Sequence, residues 1–95
     1  MIQDFEGVLN EMLNTHIAKN HDYGDSFSKT FKEFGIVAPV VRMNDKMERI
    51  KTLIKSKAKV DESIRDTLLD LANYAVMTIV ELGKSNGKWT STSSE

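Results

Sequence analysis

The sequence predicts an all-α fold: a small four-helix bundle with a short second helix, expected to be completed by oligomerisation. Apolar residues recur at alternating spacings of three and four in four stretches, and no stretch alternates with the period of two that a half-buried strand requires. The breaks between stretches fall at residues that end helices, among them Gly24, Gly35 and Gly83. At 95 residues the chain is one domain, read as a helical body over 1–83 and a polar tail over 84–95. A chain of this length buries only about two-thirds of its unfolded surface, so a second copy is expected on burial grounds.

The first helix is expected over residues 2–20, with Ile2, Phe5, Val8, Leu9, Met12, Leu13, His16 and Ile17 on one face. Residues 20–24 carry no period and end in glycine, the residue that best tolerates positive φ. Asp25 or Ser26 is then placed to cap a short helix bearing Phe27, Phe31 and Phe34, which Gly35 stops. Proline is comfortable in a first helical turn, so a third helix should begin near Pro39. Its stripe is Val40, Met43, Met47, Ile50 and Ile54, widened by Leu53, before a turn over 55–60. The fourth helix opens with Asp61 and Glu62, whose charges complement the helix dipole. Ile64, Leu68, Leu71, Ala75, Ile79 and Leu82 follow within an arc of roughly 60°.

Composition narrows the functions. Charged residues are 28% and net charge is −1, which gives no general attraction to nucleic acid or anionic lipid. There is no cysteine, so no disulfide framework, thiolate nucleophile or sulfur-bound zinc. The opening residues lack the basic start and apolar run of a signal peptide, and no run reaches the roughly 18 apolar residues of a membrane span. A cytoplasmic protein is expected. No P-loop, GxGxxG or GxSxG motif is present, so any catalysis must run on carboxylates, metal and water.

Two helices carry the chemistry. On the fourth, Glu62, Asp66, Asp70 and Asn73 share an arc of about 80°, stacking three carboxylates at spacings of four. Like charges so placed cost some tenths of a kcal/mol each even when exposed. A divalent cation, or lysines and arginines from a neighbouring helix, would offset that cost; acids near a helix start also occur for structural reasons alone. On the third helix, Arg42, Lys46 and Arg49 fall on one face, where a row of cations can grip phosphate. Asp45 and Glu48 could extend the acidic set, although Asp45 lies nearly opposite the apolar stripe and would need cover on both faces. In the loop KNHDYGDSF, Tyr23 could stack on a base, or simply pack behind a helix end. His16 reads as a core or boundary residue.

Taken together, KNHDYGDSF, RMNDKMERI and DESIRDTLLDLANYAVM resemble the first nucleotide modification associated domain family, found in phages and bacteria. That family is related to the all-α nucleoside triphosphate pyrophosphohydrolases of MazG and dimeric dUTPase type. The resemblance covers roughly residues 10 to 82 and implies a MazG-like bundle that assembles with another copy. It also implies that paired carboxylates hold magnesium, with manganese as the alternative, which binds nucleotide phosphates and activates water. Asp66 and Asp70 match one such pair with the spacing widened to four, and Asp45 and Glu48 stand where the other would be. The expected metal ligands are Glu48, Glu62, Asp66 and Asp70, with Glu48, Asp66 and Asp70 catalytic. Tyr23, Lys46, Arg49 and Asn73 match positions expected to contact nucleotide.

Three functions follow as expectations. The first is a magnesium-dependent nucleoside triphosphate pyrophosphohydrolase. The second is a non-catalytic protein that captures a nucleotide or a nucleotide signal, as a phage counter-defence sponge does. The third is a helical interaction module that blocks a host protein.

Overall fold

The computed structural model describes residues 1–23, 25–56 and 60–85, and of residues 20–23, 60–62 and 85 the backbone alone. Four helices run in order: α1 (Ile2–Tyr23), α2 (Ser26–Phe34), α3 (Val37–Lys55) and α4 (Val60–Ser85). The all-α bundle with a short second helix is as expected. α3 and α4 pack along their lengths, α2 leans on α3, and α1 meets α4 more sparsely.

Local chemistry accounts for the element ends. Asp25 holds the N-cap position of α2, yet its side chain makes no capping hydrogen bond; its carbonyl accepts instead from the Lys29 amide at 3.0 Å. Gly35 stops α2 with φ 76°, and its N–H donates to the Phe31 carbonyl at 2.7 Å. α3 begins two residues before Pro39, which lies in the first turn where a missing N–H leaves no bond unmade. Two boundaries differ from expectation. α1 continues three residues beyond Asn20, and α4 continues two beyond Gly83, which is buried. The rest of the expected tail, from residue 86 onward and including Trp89, lies outside the described residues.

The core is small. Phe31 and Pro39 are the buried apolar side chains among the described residues. Thr67 and Thr78 are buried on α4, where their hydroxyls donate to the carbonyls of Ser63 (2.7 Å) and Tyr74 (2.6 Å) one turn back. Glu81 is buried as well, and its carboxylate accepts from Ser28 (2.8 Å) and Lys84 (3.2 Å), tying α2 to α4.

Much of the anticipated core is exposed. The stripe expected to bury α4 holds only in part: Leu68, Ile79 and Leu82 are exposed, while Ile64, Leu71 and Ala75 are half-buried. On α1, Phe5, Leu9, Leu13 and Ile17 form a ladder at spacings of four, each 47 to 60% exposed. The physical reason is geometric: one chain provides too few helices to cover two-sided apolar helices. The radius of gyration is 15.1 Å, against about 12 Å for a compact chain of this length.

Candidate functional site

The helices enclose a cleft of about 520 Å³ between α1, α2, α3 and α4. Its floor is aromatic: the rings of Phe27 (α2) and Tyr74 (α4) stack with centroids 6.2 Å apart and planes tilted by 29°. Pro39 and Phe31 close the inner end, and Met77 and Asn73 extend one wall. Its rim is cationic, with Lys19 from α1 and Arg42 and Lys46 from α3.

A single carboxylate among the described lining residues, Asp70, organises that rim. One of its oxygens lies 3.2 Å from Lys19 Nζ and the other 3.2 Å from Lys46 Nζ. Asp70 and Lys46 are roughly 30% exposed, at 31% and 29%, so these charges are partly withdrawn from water. Partial burial pushes the Asp70 carboxyl up, but hydrogen bonds from Lys46 and Lys19 outweigh it and hold the group below the ordinary aspartate value. Arg42 donates to the Tyr74 hydroxyl at 3.3 Å, linking the cationic rim to the aromatic floor. α1 is held over the cleft by Arg65, whose guanidinium grips Glu11 in a two-pronged pair at 2.9 and 2.7 Å.

The residues anticipated from sequence divide. Asp70, Lys46 and Asn73 come together in the cleft, and Arg42 with them. Asp66 does not join them: it is exposed and stands outside the cleft lining, one turn nearer the start of α4 than Asp70. Glu48 is also exposed and pairs with Lys51 at 3.2 Å on the outer side of α3. Asp45 and Arg49 are exposed too, Asp45 as its position opposite the stripe requires. The side chains of Tyr23 and Glu62 lie outside the described residues. Among the described residues no group of three or more His, Asp or Glu side chains is disposed to hold a metal ion. Among the described residues no helix is long and apolar enough to cross a membrane.

Sequence reasoning passed over Lys19, Phe27 and Tyr74. Lys19 reaches Asp70 across 51 positions in the chain, which no local pattern reports. Tyr74 carried a weaker signal, standing one turn after Asp70 on the same helix. His16, expected as a core or boundary residue, lines the cleft half-buried.

Residues 19–82 match the family described as nucleotide modification associated domain 1, about two-thirds of the chain. The chain belongs to that family. The matched stretch contains Lys19, Phe27, Arg42, Lys46, Asp70, Asn73 and Tyr74, the charged rim and aromatic floor of the cleft. No curated protein and no solved structure matches the chain significantly.

Proposed function

We propose that the protein binds a nucleotide in the cleft between its four helices. The observation that carries this reading is the joining of an aromatic floor, Phe27 with Tyr74, to a rim on which Lys19, Arg42 and Lys46 outnumber Asp70. A nucleotide has the complementary pattern of a flat base at one end and phosphate at the other. Base stacking on an aromatic side chain contributes about 1–3 kcal/mol, and lysine and arginine are the usual phosphate partners. Asn73 offers an amide that can both donate and accept at a base edge or sugar.

Thermal unfolding against a panel of ribo- and deoxynucleoside mono-, di- and triphosphates tests this reading. Stabilisation by at least one nucleotide, and none by the matching nucleoside or by chloride salt, is expected. A panel without effect contradicts it.

Turnover is a second reading, favoured by the presence of Asp70 in the same cleft as the cations. In it Asp70, with Asp66, Glu48 or Glu62, would hold magnesium or manganese and the protein would release pyrophosphate from a nucleoside triphosphate. The described carboxylates of one chain do not fit that role as they stand, since Asp70 is taken by two lysines, Glu48 pairs with Lys51 and Asp66 stands exposed outside the cleft lining. Appearance of monophosphate and pyrophosphate with either metal is the outcome that supports turnover. A block on a host protein, the remaining expectation, is favoured by the exposed α1 ladder alone and predicts co-purification of that protein without any nucleotide effect.

A further inference from the structure

Lys19 and Lys46 come from different helices, 27 positions apart in sequence, yet both end on one carboxylate. Asp70 gives each ammonium one oxygen at the same distance, 3.2 Å. Two oxygens on one centre, each facing a separate cation, is also the arrangement of a phosphate monoester held between two lysines. We propose that Asp70 is a built-in counter-anion: it occupies the position that a ligand's phosphate takes between Lys19 and Lys46, so that binding exchanges one anion for another and requires no divalent cation. The proposal rests on the nucleotide reading above and specifies how phosphate is recognised.

Three features support the exchange. Lysine is a point charge on a flexible stem, so both ammoniums can swing towards an incoming phosphate without movement of the helices. Arg42 stands on the same rim and, among the described residues, bonds to a neutral hydroxyl, leaving its charge available to the ligand. The opposite arrangement, a metal ion seated on Asp70, would insert a doubly charged cation beside Lys19 and Lys46 and near Arg42. Coulomb repulsion at such separations opposes that, and more strongly where the groups are partly shielded from water. Among the described residues there is no further carboxylate in the cleft to offset it. Asp70 in this account is a positioning residue. It keeps the two lysines paired and together while the cleft is empty, and it competes with the ligand.

The competition makes an unusual forecast for the Asp70→Asn variant. Asparagine keeps the shape and loses the charge, so phosphate no longer contends with a carboxylate. Calorimetric titration of the full chain with nucleoside mono-, di- and triphosphates, in EDTA and again in magnesium, is the test. Wild-type affinity in EDTA is expected within about twofold of that in magnesium, falling as sodium chloride rises. Asp70→Asn is expected to bind about tenfold more tightly, because a like charge beside the ligand is gone. Unchanged or weaker binding by a folded Asp70→Asn variant overturns the proposal, as does wild-type binding that disappears in EDTA; both leave nucleotide binding standing. The EDTA arm uses the wild-type chain and so decides even if the variant fails to fold. If no nucleotide binds either protein under any condition, the nucleotide reading falls and this proposal with it.

Discussion

At the scale of single residues, the proposed nucleotide binding rests mostly on the two lysines and Asp70, and each has its own expected signature. Lys19→Met and Lys46→Met each remove one charge-assisted hydrogen bond to phosphate, about 1.5–3 kcal/mol, so each should weaken nucleotide binding by at least about tenfold in calorimetry. Asp70 should titrate below ordinary aspartate in carboxyl-detected NMR, because the two lysines outweigh the effect of its partial burial. A depressed folded value means that the group stabilises the fold above the unfolded aspartate value, and that this contribution is lost as pH falls through the folded one. Acid unfolding should therefore be less steep in Asp70→Asn. Asp70, Lys46 and Asn73 were legible in the sequence because helical spacing reports which residues of one helix share a face. Lys19 was not, since its role depends on where α1 crosses α4.

Each helix end is a matter of local chemistry, which was legible at Gly35 and near Pro39 but not at Asn20 and Gly83, which α1 and α4 run past. Gly35 stops α2 with φ 76° and ψ −164°, a region open to almost nothing but glycine. A Cβ built there meets no atom within 4 Å, so Gly35→Ala should cost only its backbone strain, about 1–3 kcal/mol in denaturant unfolding. Phe31 on α2 is the aromatic buried beneath the cleft, and Phe31→Ala should destabilise by about 3–5 kcal/mol. A fold with so small a core would lose much of its stability to that change. Less legible was which apolar face each helix buries. Periodicity marks Leu68, Ile79 and Leu82 as one stripe, but burial depends on what lies opposite, and one chain leaves them exposed.

For the molecule as a whole, the exposed α1 ladder is the dominant feature outside the cleft. Phe5, Leu9, Leu13 and Ile17, each about half exposed, present four large apolar side chains to solvent in one row. Leu9 and Leu13 also line a second groove with Val76 and Val80 of α4, so the apolar surface continues from one helix to the other. An evenly spaced ladder maps onto itself under a two-fold axis, and a net charge of −1 puts little long-range repulsion between copies. Sedimentation should therefore find a homo-oligomer whose Tm rises with protein concentration, and Leu13→Asp should dissociate it and lower that Tm. A monomer with the stability of an ordinary domain would contradict this.

Whether phosphate sits between the two lysines is answered best by a crystal structure with a bound nucleotide. The expected result is phosphate oxygens within hydrogen-bonding distance of both Lys19 and Lys46, the base against Phe27 and Tyr74, and Asp70 released from at least one lysine. Phosphate bound elsewhere, or joined to the chain only through a metal ion on Asp66 or Glu48, would contradict it.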